Sequence, residues 1–484
     1  MENLREKILG CWLGKAVGGT LGQPYEGCDG PLNLSFYNPV PDDMIPNDDL
    51  DLQVLWACVM DEMETPRVDR DIFAEAWLNK VEFPWDEYGV AIKNLRNGIK
   101  APFSGSYDNW FSNGLGAAIR SEIWACLAPG KPELAAAYAY EDACVDHDGD
   151  GIWAEVFLAA LESLAFVEND IKKIIAKALN YIPNDSLLKS AVNDTLKWCE
   201  EMEDWMEIRG KILGKHGHEN FTDVVMNLSF AILGLIKGKG DFDETLCITV
   251  NCGRDADCTT ASVGSILGIM NPDSISKKWL EPIGRKLVIN KEITGINPPE
   301  SIDGFTDMIL RLKDKLDGKY PPKSTNSFNS DERQIKVKTW FINWFPQDNS
   351  LHLNDAPEMP KETITLTLPG KKASIDADIF EADKILLMKY KIKLQKKQEV
   401  KVMFNTHDNC RVWIDGKYAF GREGGRMAPS FHRVPVNQQT ALELDAGEHE
   451  ITAGIAPSSG KEKIEWVIGV GDAKTNQWLN DIFI

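Results

Sequence analysis

Residues 7–26 read KILGCWLGKAVGGTLGQPYE, a segment of small and apolar residues with helical spacing. Glycine occupies every fourth position on one face of that helix, at Gly10, Gly14 and Gly18. A later segment repeats the step at Gly264 and Gly268. Each interior glycine destabilises a helix by about 1 kcal/mol relative to alanine, so such rows need a compensating interaction. We therefore predict that both helices lie near the middle of a helical domain and pack against their neighbours at backbone distance.

Apolar residues keep a helical spacing up to about residue 315. The clearest segments are 52–63, 154–166, 221–236 and 308–316. In the first of them, Leu55, Trp56 and Val59 follow Leu52 at +3, +4 and +7, which is one helical face. This pattern predicts a large all-α domain over residues 1–318.

The pattern changes after residue 318. The stretch GKYPPKSTNSFNSD at 318–331 is rich in Pro, Ser and Asn and has no periodicity, so we predict an interdomain linker over 319–333. Beyond it, short alternating or apolar runs predict strands, at 364–368, 385–394, 400–404, 411–415 and 451–455. Asp415-Gly416 predicts a type I′ hairpin with Val412 and Ile414 facing inward. Residues 334–484 are therefore predicted to form an all-β jelly-roll sandwich.

Charge is distributed unevenly along the 484 residues. The chain has 53 Lys+Arg and 74 Asp+Glu, a net charge of −21, of which residues 331–484 hold 21 and 22. The remaining 32 and 52 give residues 1–330 a net charge of −20. Such an excess repels phosphate backbones, so we expect no nucleic-acid partner and regard a cation as the more natural ligand.

The sequence also bears on the cellular compartment. No window approaches the roughly 18 apolar residues that a membrane span needs, and the first residues lack the succession typical of a secretory signal. Ten cysteines are scattered without paired spacing, which indicates free thiols. We expect a cytoplasmic protein without membrane contact.

Two acidic clusters precede helical patterns, Pro46-Asn-Asp-Asp-Leu-Asp51 and Gly253-Arg-Asp-Ala-Asp-Cys-Thr-Thr260. Either one alone is explained by helix capping. If the two helix starts meet, four carboxylates converge, those of Asp48, Asp49, Asp255 and Asp257. Each like-charge pair near 4 Å would cost about 4 kcal/mol at an effective dielectric of 20, so bound cations are needed. All-oxygen ligands favour Mg²⁺ or Mn²⁺, and four carboxylates could hold two such ions.

Five motifs resemble, in order and rough spacing, those of the ADP-ribosylglycohydrolases. They lie at residues 7–26, 47–49, 113–120, 146–151 and 253–260. The resemblance covers roughly residues 1–315 and implies an all-α domain with a binuclear magnesium centre. It further implies hydrolysis of the bond between ribose C1 and an attached side chain or small acceptor.

The resemblance assigns roles by position. The implied metal ligands are Asn47, Asp48, Asp49, Asp255, Asp257 and Cys258. The implied catalytic groups are Asp48 and Glu26, the latter positioning water or stabilising the departing group. The loops that would line the substrate cleft contribute Asn113, Gly114, His147 and Gly151. The expected substrate is an ADP-ribosyl group on a small molecule or a protein.

Three positions depart from the commoner family pattern. Asn47, Leu50 and Cys258 stand where the family has threonines. A thiol is a poor Mg²⁺ ligand, although a bacterial branch is similar in having cysteine there. Two alternatives therefore stay open, an inactive relative that binds ADP-ribose or a sugar, and a hydrolase for a different glycoside. The tail resembles galactose-binding-like jelly rolls, for which we expect a packing or cleft-shaping role, with carbohydrate contact as the alternative.

Overall fold

The computed structural model describes residues 3–343, 355–377, 384–433, 438–456, 462–479 and 482–484. The chain forms two compact units. The first comprises Met1–Glu82, Lys100–Ser106 and Phe111–Asn326. The second comprises Phe83–Ile99, Tyr107–Trp110 and Ser327–Ile484.

The first unit is helical. The helices of the chain are α1 (Leu4–Gly22), α2 (Asp48–Asp61), α3 (Arg70–Lys80), α4 (Asp86–Arg96), α5 (Phe103–Ser106), α6 (Ser121–Leu127), α7 (Pro132–Ala143), α8 (Asp150–Ala165), α9 (Ile171–Ala178), α10 (Leu187–Glu201), α11 (Trp205–His216), α12 (Val224–Lys237), α13 (Phe242–Asn251), α14 (Ala256–Met270), α15 (Lys277–Ile283) and α16 (Ile302–Leu316). All except α4 belong to this unit. The four segments predicted from apolar spacing coincide with α2, α8, α12 and α16, which confirms the helical interpretation.

Helices α1 and α14 pack against each other through their glycine faces. A Cβ built on Gly14 would lie 2.0 Å from the carbonyl oxygen of Gly264, and one on Gly268 would lie 2.0 Å from that of Gly10. Both helices are buried along these faces. The predicted backbone-distance packing is confirmed. The face continues to Gly22, where a Cβ would lie 2.4 Å from Asp257 Cα, so the end of α1 fixes the start of α14.

The second unit contains two antiparallel sheets. Their strands are β1 (Ile335–Asn343), β2 (Ile364–Leu368), β3 (Lys372–Asp376), β4 (Lys384–Leu394), β5 (Gln398–Thr406), β6 (Asn409–Ile414), β7 (Lys417–Arg422), β8 (Gln439–Leu444), β9 (Gly447–Ala456) and β10 (Lys463–Asp472). One sheet has the order β2-β1-β4-β9-β6-β7 and the other the order β3-β10-β5-β8.

The two sheets share one apolar core. Tyr390 of β4 and Trp466 of β10 lie in it, and the Trp466 indole N–H donates to the Tyr390 hydroxyl at 2.7 Å. Alternating side chains along each strand supply the remainder of the core. Between β6 and β7, Asp415 and Gly416 have φ of 49° and 81°, as a type I′ turn requires. Val412 and Ile414 are buried in the core, which confirms the predicted hairpin and its inward face.

Helix α4 and residues 107–110 belong to the same compact unit as the strands. The Arg433 guanidinium lies 2.7 Å from the Asp86 carboxylate at the start of α4. The Asp108 carboxylate accepts from the backbone N–H of Lys371 at 2.8 Å, and the Trp110 indole N–H donates to the Pro429 carbonyl at 3.2 Å. These polar contacts attach two segments from the helical part of the sequence to the sandwich.

All ten cysteines are free thiols, as their spacing predicted. Within the described ranges, no helix has both the length and the apolar character needed to cross a bilayer.

Candidate functional site

The N-cap side chains of α2 and α14 differ in their hydrogen bonding. Asn47 caps α2, because its side-chain oxygen accepts from the Asp49 N–H at 2.7 Å. Asp255 occupies the equivalent position before α14, but its side chain makes no capping hydrogen bond. The capping explanation therefore holds for the first cluster and leaves the Asp255 carboxylate available for another role.

A tight turn connects the second cluster to the loop after α1. Gly253 and Arg254 both have left-handed backbone conformations, with φ of 72° and 67°. The Arg254 N–H donates to the Cys28 carbonyl at 2.6 Å, and the Gly27 N–H donates to the Arg254 carbonyl at 2.8 Å. The loop that carries the exposed Glu26 is thereby fixed beside Asp255.

The two helix starts converge, which is the condition under which the sequence indicated a bound cation. Ligand atoms of Asp49, Asp257 and Cys258 lie within 4.8 Å of one another. The Asp49, Asp255 and Asp257 side chains are nearly inaccessible, with 1, 2 and 4% exposure. Four of their oxygens have no hydrogen-bond partner among the described residues, namely Asp49 Oδ1 and Oδ2, Asp255 Oδ1 and Asp257 Oδ1. A buried carboxylate oxygen without a donor is costly, so each of these needs a positive partner.

The pKa shifts of these carboxylates agree with their burial and close spacing. Burial raises the pKa of Asp257 well above its usual range, and the carboxylates of Asp255 and Asp49 raise it further. Burial and then Glu26 raise the pKa of Asp255 in the same way. For Asp49, burial raises the pKa to about 6 although Lys15 opposes the shift. Like charges and desolvation both disfavour the ionised carboxylates, and a bound cation would reverse both effects.

Among the other predicted ligands, Cys258 belongs to this cluster and Asp48 adjoins it. Asp48 is half-buried, and it raises the pKa of both Asp257 and Cys258. Burial is the main cause of the raised pKa of the Cys258 thiol, so the thiol is protonated at neutral pH. Oxygen atoms beside a neutral thiol fit a hard divalent cation such as Mg²⁺ or Mn²⁺, with the carboxylates as ligands.

A buried ion pair stabilises the first turn of α2, which contains Asp49. The Lys15 ammonium lies 2.8 Å from Glu122 Oε1, and both side chains are inaccessible. The Gln53 amide donates to Glu122 Oε2 and to the Asp49 carbonyl, each at 2.8 Å. Burial lowers the Lys15 pKa, but Glu122 and Asp49 outweigh it and raise the pKa overall. Lys15 therefore remains charged and fixes the first turn of α2.

The predicted substrate loops meet near the start of α12. The exposed Asn113 accepts from the Gly151 N–H at 3.4 Å, and Gly114 forms a bridge to Asp223, the N-cap of α12. One turn further, Asn227 Oδ1 accepts from the Asp255 N–H at 3.3 Å. The first turn of α12 therefore connects the Asn113–Gly114 loop to the backbone of the acidic cluster.

His147 has a different environment. Its ring is fully buried, and its Nε2 accepts from the Ala117 N–H at 3.2 Å. Its Nδ1 lies 3.1 Å from Asp146, whose carboxylate also pairs with Arg120 at 2.9 Å. Burial raises the Asp146 pKa, but Arg120 and His147 lower it to about 2 overall. The ring holds the 146–151 loop in place, and its predicted substrate contact stays a prediction.

Sequence reasoning missed the polar residues that position the acidic side chains, which are Lys15, Gln53, Glu122 and Asn227. Lys15 could have been identified from the sequence, because it is the single charged residue within the apolar part of α1. Asn227 is likewise a polar residue inside the apolar run of α12. Gln53 and Glu122 gave no such signal, because their role depends on which helices become neighbours.

The chain is similar in sequence to a known family over its helical part. The profile of the ADP-ribosylglycohydrolase family matches residues 1–315. An uncharacterised protein of Archaeoglobus fulgidus is 28% identical over an alignment of 298 residues that covers 57% of this chain and 92% of the relative.

Two solved structures are also similar in part. An ADP-ribosylglycohydrolase-related protein complex aligns with a TM-score of 0.46 at 17% identity, over 65% of this chain and 99% of that chain. A β-glucosidase from Kluyveromyces marxianus in complex with glucose aligns with a TM-score of 0.20 at 9% identity, over 28% of this chain and 16% of that chain. Because the family profile covers well over half of its 484 residues, the chain belongs to the ADP-ribosylglycohydrolase family.

Proposed function

We propose that this protein is a divalent-cation-dependent hydrolase that cleaves an ADP-ribosyl or related ribosyl glycosidic bond. Membership of the family supports a glycohydrolase-type function. The observation that carries the finer proposal is the set of buried, donor-less carboxylate oxygens of Asp49, Asp255 and Asp257 beside Cys258. Burying several carboxylate oxygens together costs free energy, and a bound cation would offset that cost.

The carboxylates of Asp49, Asp255 and Asp257 would hold two Mg²⁺ or Mn²⁺ ions, with Asn47, Asp48 and Cys258 as the other predicted ligands. When bound, such ions can orient a sugar diol and lower the pKa of a water molecule. Asp48, at the half-buried edge of the cluster, would orient that water toward the anomeric carbon. Glu26 is an exposed carboxylate whose loop is tied to the Asp255 turn, so it would position the water or stabilise the departing group.

Substrate would approach over the loops around α12. Asn113 is exposed there, and Gly151 packs against the same loop, where a Cβ would lie 2.1 Å from the Ser112 carbonyl oxygen. A Cβ built on Gly27 would lie 3.6 Å from the Phe221 ring, so this half-buried aromatic side chain adjoins the Glu26 loop. An aromatic ring beside polar loops suits a nucleoside or ribose face.

The direct test uses mass spectrometry on the full chain. We expect ADP-ribose to be released from arginine- or serine-ADP-ribosylated protein in the presence of Mg²⁺ or Mn²⁺. A chelator should reduce release to background, and added metal should restore it. No release from either modified protein with either metal would contradict the proposal.

Calorimetry with ADP-ribose distinguishes the remaining alternatives. Tight ADP-ribose binding without turnover would identify a non-hydrolysing relative. Turnover of another glycoside, together with no ADP-ribose binding, would identify a different hydrolase.

Asn227→Ala tests the support of Asp255 separately from the acidic residues themselves. The Asn227 amide donates to the Phe221 carbonyl at 2.7 Å while its oxygen accepts from the Asp255 N–H. Loss of such a supporting hydrogen bond typically weakens metal binding about 10–100-fold. We expect a higher metal concentration for half-maximal release, with much of the rate recovered at saturating metal. An unchanged metal dependence would show that Asn227 is not a positioning residue, and Asn169→Ala in the exposed loop before α9 serves as the control.

A further inference from the structure

An arginine occupies an inward position of the sandwich in the second unit. Strands β7 and β8 are the edge strands of the two sheets and contact each other. Alternation along β7 places Phe420 and Arg422 on the same face, and Phe420 belongs to the apolar core. Cys410, the cross-strand neighbour of Arg422, lies in that core as well. The Arg422 side chain therefore leaves β7 on the inner face of its sheet.

The Arg422 guanidinium is only partly hydrogen-bonded. Its Nη1 donates to the Arg426 carbonyl at 3.3 Å, whereas Nε and Nη2 are buried and have no hydrogen-bond partner among the described residues. The residue is 7% exposed. Burial lowers the pKa of Arg422, and within the described ranges no carboxylate opposes that shift. A buried charge without a counter-ion costs free energy, and a bound anion would offset that cost.

A second buried polar side chain lies at the start of the facing edge strand. Gln438 directly precedes β8 and is fully buried. Neither its amide oxygen nor its amide nitrogen has a hydrogen-bond partner in the part of the chain that the structure describes. Buried amides are normally hydrogen-bonded, so this one indicates an additional polar group nearby. Two adjoining strand edges thus contribute three unpaired donor groups, Arg422 Nε, Arg422 Nη2 and Gln438 Nε2.

A short glycine loop separates the Arg422 guanidinium from solvent. Gly425 has φ of 120°, and a Cβ there would lie 2.4 Å from Arg422 Nη2, so the loop backbone passes directly against the guanidinium. The Ala428 N–H donates to Asn405 Oδ1 at 3.1 Å, which attaches the loop to β5. Because Gly425 itself is exposed, the path from solvent to the guanidinium is short.

We propose that Arg422 and Gln438 form a binding site for a small oxyanion, either a carboxylate or a phosphate. The unpaired Nε–H and Nη2–H groups lie on the same side of the guanidinium plane, and this pair of donors matches two oxygens of one such group. The Gln438 amide would donate to a remaining oxygen. A neutral ligand of the same size would leave the buried charge uncompensated. This proposal concerns the second unit and does not rest on the hydrolase assignment.

Calorimetric titration of the full chain with inorganic phosphate, acetate and acetamide tests the proposal. Acetamide matches acetate in size and shape but carries no charge. The protein is metal-free, all titrations share one ionic strength set with chloride, and chelators are left out because they are themselves carboxylates. We expect phosphate, acetate or both to bind saturably and acetamide not to bind. The anion that binds identifies phosphate or carboxylate as the natural group.

Variants establish where the anion binds. Arg422→Met should weaken binding at least about tenfold, as expected for loss of a charge-assisted contact. Without anion, this variant should unfold at no lower temperature than the unmodified chain, because a buried charge is removed. Gln438→Met should weaken binding by a smaller factor. Lys417→Met removes an exposed lysine of the same strand and should leave affinity unchanged.

Arg422→Lys keeps the proposal testable if the methionine variant does not fold. Lysine retains the charge but not the paired donors, so binding should again weaken. Far-UV circular dichroism confirms that each variant is folded before it is titrated. Binding of neither anion, binding of acetamide as tightly as acetate, or unchanged affinity in the folded Arg422 variants would overturn the proposal.

Discussion

Asp257→Asn is expected to lower the rate of ADP-ribose release by about a thousandfold or more, while making the metal-free protein more stable. The rate falls because one of the buried carboxylates that would hold the cation is lost, and several kcal/mol of charge stabilisation correspond to that factor. The stability should change in the opposite direction, because asparagine removes a like charge from a cluster whose side chains are buried and adjacent.

The sign of the stability change follows from linkage. The pKa of Asp257 is raised in the folded state by burial, then by Asp255 and Asp49, from an ordinary value of 3.8. An acid with a raised folded-state pKa destabilises the fold as the pH rises above its unfolded value. Asparagine abolishes this effect, so the metal-free variant should be more stable at neutral pH by about 1 kcal/mol or more.

Thermal unfolding with and without Mg²⁺ or Mn²⁺ measures both effects. The unmodified chain should gain stability from metal, and Asp257→Asn should lose most of that gain. Asp314→Asn, on α16 with a side chain that is 75% exposed, is the matched control and should change neither property appreciably. A variant that releases ADP-ribose at the normal rate would show that Asp257 is not part of the reactive centre. A less stable metal-free variant would show that this carboxylate is compensated within the protein.

Gly14→Ala is expected to destabilise the helical unit by about 3 kcal/mol or more, whereas Gly210→Ala should stabilise it by up to about 1 kcal/mol. The same substitution changes the free energy of unfolding in opposite directions because the surroundings of the two glycines differ. The new methyl group at position 14 would lie 2.0 Å from the Gly264 carbonyl oxygen, and backbone atoms cannot rotate away. At Gly210, within α11, nothing lies within 4 Å, so the alanine only gains helix propensity.

Urea unfolding followed by far-UV circular dichroism measures both variants of the full chain. Gly14→Val should lower the free energy of unfolding further, so that the chain does not fold, because its branched side chain would force α1 and α14 apart. In Gly14→Ala, a wider spacing of α1 and α14 would also move Asp257 relative to the end of α1. The rate of ADP-ribose release should therefore fall together with stability. A Gly14→Ala protein as stable as the unmodified chain would show that the two helices can separate at little cost.

The fold and the main members of the site could be predicted from local sequence. Glycine at every fourth position already required a backbone partner, because nothing else offsets its loss of helix propensity. Two acidic helix starts, at Asp49 and Asp257, indicated a cation once they were assumed to meet. The strand pattern and the Asp415-Gly416 turn likewise followed from alternation and backbone conformation.

The tertiary structure decided the features that depend on which segments become neighbours. Lys15 reaches Glu122 and Asn227 reaches Asp255, two pairings separated by 107 and 28 positions in the sequence. Periodicity determines which face of a segment is buried, because it reflects only local geometry. It does not determine which other segment covers that face, because that choice depends on the packing of the whole unit. The sequence therefore determined the elements and their carboxylates, and only the packed structure determined the polar residues that hold them.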